Sequence, residues 1–341
     1  MISAVILVCL LLLVYVQVHN SQKFEWGTFW KETRNLNWWC IFAAAALIHF
    51  NYILRALRWA VFLRPIKTDV SAWRLIPSQI IGFTGLALLG RPGELIRPYL
   101  VSKREQLTFS SQLAVWTVER LFDLGSIGVL LAINVMVSPL IKEMPSHGKL
   151  MAAAFLLLGG VTAGGIFAYI IRRSGPSVAA IVEKFIGRLS PNLGKKIATK
   201  IIAFGDGLHT VKDAASFAVL SLYSIVIWIM IVVAYLLVAR AYPDIVSRMS
   251  LRTTVSFTIL LLGCSVAGSM IALPAVGGGP QLATISAMVY LFKFPQELAT
   301  SCGIMFWLTT FASVIPTGLA ISRFEHVSLT NVSQETATEG N

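Results

Sequence analysis

The sequence predicts an all-α, polytopic membrane helix bundle, with about six full spans plus two re-entrant broken-helix hairpins in an inverted repeat. Three observations predict it. The 341 residues are 56% hydrophobic and only 13% charged, about half the charged share of a soluble domain. Long apolar runs recur along the whole chain. Two of these, 76–103 and 255–292, are broken internally by proline and glycine, at Gly90-Arg91-Pro92-Gly93 and at 273–280 (LPAVGGGP). Interrupted apolar segments in corresponding halves mark a transporter-type site near mid-membrane.

The first run, Ile2 to Val18, has no basic n-region and no clear cleavage site, so it reads as an uncleaved first span. Trp26, Phe29, Trp30, Trp38 and Trp39 then form an interfacial aromatic belt. The second span runs from Trp38 to about Leu63. Within it Asn51, Arg55 and Arg58 share one face, and the two arginines either snorkel to headgroups or line a cavity. After Arg64, Lys67 and Arg74 comes the first broken segment, too short on either side of its break to cross. Gly93 supplies the positive φ and Pro92 ends the incoming helix. The third span, Ser110 to Val137, carries Glu119, Arg120 and Asp123, either as a functional group or as a charge network locking helices. The fourth, Leu150 to Ile171, is rich in Gly and Ala, which implies close helix packing.

Residues 172–213 are a basic connector with an amphipathic helix, placed in the cytoplasm by its Lys and Arg excess. The fifth span is Ala214 to Ala239, and the last is Ala299 to Ile321. Residues 323–341 are a polar tail. The chain thus divides into a first membrane half (1–171), the connector, and a second half (214–322). Basic loops kept inside put both termini in the cytoplasm and make one hairpin enter from each face. Residues 255–273 are the weak point of that symmetry, being long enough to cross fully.

The net charge of +12 belongs with topology and anionic lipid, and no nucleic-acid motif accompanies it. The four cysteines lack metal-type spacing and read as small apolar residues. No metal, cofactor or catalytic residue is expected. Arg55, Arg91 and Arg97 are candidates to clamp a phosphate, with Gly93 and Glu94 shaping the helix end between them and Gly277, Gly278 and Gly279 of the second break at the same headgroup site.

The segments RPGELIRPYL, VERLFDLG and ALPAVGGGP, in this order, resemble the flippase-like family. That family includes the transmembrane domain of lysylphosphatidylglycerol synthase and a group formerly catalogued as uncharacterised integral membrane proteins. The resemblance covers nearly the whole chain. It implies a domain that moves lipid across the bilayer. Its pattern falls on Pro92, Gly93, Glu94 and Arg97, on Glu119, Arg120 and Asp123, and on Pro274, Gly277, Gly278 and Gly279. The lysyl-lipid synthases add a soluble transferase domain for which this chain has no room, so lysine transfer is not expected. The glycine run is often followed by an acidic residue in that family; here Pro280 and Gln281 follow.

The expected function is transport of an anionic phospholipid or a polyprenyl-phosphate-linked lipid across the cytoplasmic membrane. Glu94, Glu119 and Asp123 are then candidates for ion coupling. Two alternatives stand beside it. One is a glycosyltransferase acting on a polyprenyl-phosphate lipid, which the absence of an Asp-x-Asp pair disfavours. The other is a scaffold for cell-envelope synthesis. The partners are membrane lipids, with a second copy or an envelope-synthesis protein as companions.

Overall fold

The structure, a computed structural model, describes residues 24–186, 190, 193–195, 197–199, 201–202, 211–269, 278–325 and 327. The expected first span, most of the second break (Leu273 to Gly277) and most of the polar tail lie outside the described residues. Among the described residues the ordered elements are all helical.

A short interfacial helix, α1 (Trp26–Arg34), precedes the long α2 (Trp38–Leu63). Next come α3 (Ala72–Leu89), a 3-10 turn (Arg91–Leu95), α4 (Ile96–Glu105), α5 (Phe109–Val137) and the single turn α6 (Pro139–Lys142). The kinked α7 (His147–Ile186) closes the first half. The second half holds α8 (Ala214–Arg240), α9 (Pro243–Arg248), α10 (Leu251–Gly268) and α11 (Gly278–Ser286), which runs on as a π-helical turn (Ala287–Leu291). The last membrane element is α12 (Gln296–Trp307), a π turn (Leu308–Ala312) and α13 (Val314–Phe324).

Side-chain caps fix where the long helices start. Asn37, Thr108, Asp213 and Ser250 each accept a hydrogen bond from a backbone N–H of the first turn of α2, α5, α8 or α10. Such caps satisfy donors that hydrocarbon would leave bare. Among the described residues, seven helices are long and apolar enough to cross a membrane. Five of them correspond to the expected full spans that the structure describes. The other two are α3 and α10, the first arms of the two broken segments. Each has 18 residues, about 27 Å; the first arm of the first break, expected to be too short to cross, reaches that length because α3 starts at Ala72 and runs through Pro77.

Both broken segments fold back as hairpins. At the first, α3 ends at Gly90, whose φ of 69° needs a glycine. Gly93, expected to supply that φ, does something else. A Cβ placed on it would sit 2.1 Å from the Gly85 carbonyl oxygen, so its bare backbone allows the returning strand of chain to touch α3. Gly82 likewise admits the Arg97 stem, 2.5 Å from where its Cβ would lie. The base closes where the Arg104 guanidinium donates to the Arg74 carbonyl, and Lys67 reaches Glu105 at 3.1 Å. In the second hairpin Gly268 abuts Gly279, and Phe257 meets Phe292 edge-on at 4.6 Å.

The halves interlock. Helix α2 lies along α8, α3 packs on α13, and α10 packs on α5. Gly318 receives Thr84 at the α3–α13 crossing, and Gly263 receives Leu131 at the α10–α5 crossing. Each hairpin therefore rests on the span that follows the other hairpin. Helix α7 is held mainly by α5 and shows lipid Phe155, Leu156, Ile166 and Phe167. Its glycines differ from expectation. Gly159, Gly160 and Gly165 face open space, and only Gly164 meets a neighbour, Leu121.

Two measurements check this architecture. Gly93→Ala is expected to cost about 1–3 kcal/mol through overpacking, read as a lowered melting temperature in detergent, while Gly160→Ala leaves melting unchanged. In a cysteine-free background, Lys293→Cys is expected to react with an impermeant thiol reagent from the same side as Arg248→Cys and from the side opposite Lys67→Cys. Labelling of Lys293→Cys and Lys67→Cys from one common side would break the second hairpin.

Candidate functional site

The sequence places Arg55 and Arg58 less than one turn apart on α2, and Glu119 and Asp123 one turn apart on α5. The structure sets these two rows face to face. Arg58 is fully buried and bridges both carboxylates. Its Nη1 is 2.7 Å from Asp123 Oδ1 and its Nη2 is 2.5 Å from Glu119 Oε1. Arg55 reaches Asp123 at 3.4 Å, held from behind by Asn51 at 3.1 Å. Both arginines turn into the bundle instead of snorkelling to headgroups, because two carboxylates await them there.

Arg97 arrives from the first hairpin. It pairs with Glu119 and donates to Gln79 Oε1 at 3.1 Å. Its guanidinium lies over the Trp59 ring, 4.4 Å from the centroid. Arg120 reaches back to Glu119 at 3.6 Å and to Asp123 at 3.4 Å, with its side chain one-third exposed. From the second half, Ser224 accepts from Arg58 at 2.7 Å, and Trp228 donates to Asp123 at 3.3 Å. Helix α8 is therefore part of the cluster. Glu94 is half-buried in the 3-10 turn and within electrostatic reach of Arg120.

Four guanidiniums surround two carboxylates, so the core of the cluster carries two positive charges in excess, or one if Glu94 is counted. Several buried polar atoms of these side chains have no partner among the described residues: Arg58 Nε, Arg120 Nε and Gln79 Nε2. Buried charge and unpaired donors in a membrane span are costly unless something answers them. A cationic excess with spare N–H groups answers to an anion.

The remaining expected site residues are placed as follows. Arg91 lies in the 3-10 turn, with Glu94 and Leu95. That turn runs directly into α4, whose α-helical turns begin at Ile96, after Gly93. Gly277 is outside the described residues. Gly278 and Gly279 open α11, which packs chiefly on α10 and α12, and the named partners in the charge cluster come from α2–α5 and α8. Sequence reading missed Gln79, Ser224, Trp228 and Trp59. Single uncharged residues on other helices carry no spacing signal that ties them to Glu119 and Asp123.

The carboxylates are what keep the four arginines together. Glu119→Gln is expected to destabilise the protein by about 3–5 kcal/mol, as removal of one member of a buried ion pair does. Unfolding titration in mixed micelles measures it. A loss below ~1 kcal/mol would mean that water already screens the cluster.

Comparison with known proteins agrees with a membrane role. The chain is 26% identical over 327 residues to glycosyltransferase AglD of Haloferax volcanii, covering 86% of this chain and 50% of that protein. It is 23% identical over 298 residues to a UPF0104 membrane protein of Methanothermobacter thermautotrophicus, covering 81% of this chain and 82% of that one. The chain thus spans about half the length of AglD. No solved structure matches it. Residues 1–318 match the family described as the lysylphosphatidylglycerol synthase TM region, and the chain belongs to that family of membrane proteins.

Proposed function

We propose that the protein binds the phosphate of an anionic lipid headgroup at the arginine cluster and carries it across the bilayer. The observation that supports this reading is the charge count: Arg55, Arg58, Arg97 and Arg120 against Glu119 and Asp123, in a span interior. A phosphate supplies the missing negative charge and accepts from several N–H groups at once. Arg120 is the receiving residue, because its side chain is the exposed one and its Nε is unpaired. Arg97, Arg55 and Gln79 stand behind it. The acyl or polyprenyl tail stays in lipid while the headgroup crosses, and pairing with the guanidiniums offsets the cost of taking the phosphate out of water.

An inverted repeat gives the motion. What supports it is the reciprocal packing of each hairpin on the span after the other, with glycine at both crossings. Rocking one half against the other would open the cluster to alternate faces. The pairs at the hairpin base, Lys67–Glu105 and Arg104–Glu325, would hold one of these states. The cytoplasmic membrane, with the basic connector inside, is the proposed location. The name of the relative AglD supports a second reading, in which the same cluster presents a lipid-linked phosphate to a sugar-transfer reaction.

In reconstituted vesicles, Arg120→Gln is expected to lower transbilayer movement of a fluorescent phosphatidylglycerol by about tenfold, the loss of one charge-assisted contact, with melting unchanged. Movement at the wild-type rate in a folded Arg120→Gln protein would overturn the proposal.

A further inference from the structure

A second feature of the right chemistry lies at the other end of the bundle. A cavity of about 500 Å³ opens between the start of α2 and the end of α8. That size falls within the roughly 300–1,000 Å³ range of small-ligand sites. Its polar lining is Asn35, Asn37 and Arg240, and its apolar walls include Leu36, Leu237 and Val246. Arg240 is partly buried and has no carboxylate partner among the described residues. The carboxylate on the next helix, Asp244, pairs with Arg248 at 3.6 Å instead.

Asn37 is half committed. Its Oδ1 caps α2 by accepting from the Trp39 N–H at 3.2 Å, which leaves its amide N–H groups as donors. Trp26, Trp30, Trp38 and Trp39 are all exposed around this end of the molecule. Exposed tryptophans of this kind sit at the headgroup level of a bilayer. A cation, amide donors and apolar walls at that level match one ligand chemistry, a phosphodiester with hydrocarbon attached.

We infer that this cavity is an interfacial site for the phosphate of an anionic phospholipid, with Arg240 as its charge partner and Asn35 and Asn37 as donors. The tail lies along the apolar wall formed by Leu36, Leu237 and Val246. The site is distinct from the arginine cluster. Along α2, Cys40 in the cavity wall and Arg58 in the cluster are about 27 Å apart. That separation sets the two sites at different depths of the bundle, the cavity beside the start of α2 and Arg58 near its end. The inference takes only the class of ligand from the function proposed above; binding here requires no transport.

The test uses the full chain in nanodiscs of mixed phosphatidylglycerol and phosphatidylcholine, with a photo-crosslinking residue at Val246 or, as a lipid-facing control, at Phe167. Intact mass reads the lipid captured. Phosphatidylglycerol is expected to be captured in excess of its share at Val246 and in proportion at Phe167. Arg240→Gln is expected to reduce the excess at Val246 by about tenfold and to leave Phe167 unchanged. Arg120→Gln is expected to leave capture at Val246 intact, which separates this site from the cluster. Inorganic phosphate added in solution is expected not to displace the lipid. The inference falls if Val246 captures both lipids in proportion, if Arg240→Gln keeps the excess, or if inorganic phosphate abolishes it.

Discussion

The fold is organised around two carboxylates, Glu119 and Asp123, held between four guanidiniums in the middle of an apolar protein. None of these charges is stable in such a place alone. Each is tolerable because the others are there. Their joint requirement sets which helices must touch: α2 brings Arg55 and Arg58, the first hairpin brings Arg97, α5 brings the acids and Arg120, and α8 adds Ser224 and Trp228.

The glycines serve the same end. Arg97 reaches Glu119 only if its stem passes α3 at close range, and Gly82 gives it the space. Gly85 and Gly93 let the two arms of the hairpin meet backbone to backbone, while Gly90 makes the turn. The break in the helix is therefore a way of delivering one arginine to a fixed point. Hydrocarbon accepts the broken backbone because the hairpin is packed on α2, α5 and α13.

A cluster that balanced its charges fully would be a lock. This one leaves a positive remainder and buried unpaired donors, with the Arg120 side chain one-third exposed. In the function proposed above, Arg58 and Asp123 serve mainly structural pairing, and Arg120 receives the anion. The cavity at Arg240 shows the opposite balance: one cation and no carboxylate among its lining residues.

The helical membrane architecture follows from the sequence, because twenty apolar residues in oil have no stable form but a helix. The ends of α2, α5 and α8 fall within a residue or so of where the apolar runs stop. The charged residues of the cluster were legible too, since Arg and Glu inside a span have no neutral explanation. Three things required the tertiary structure. The first was the partner of each charge, which depends on which helices adjoin. The second was the division of labour between Gly90 and Gly93, since positive φ and close approach call for the same residue. The third was the inward turn of Arg55 and Arg58, because a snorkelling arginine and a buried paired one occupy the same sequence position, and only the carboxylates of another helix decide between them.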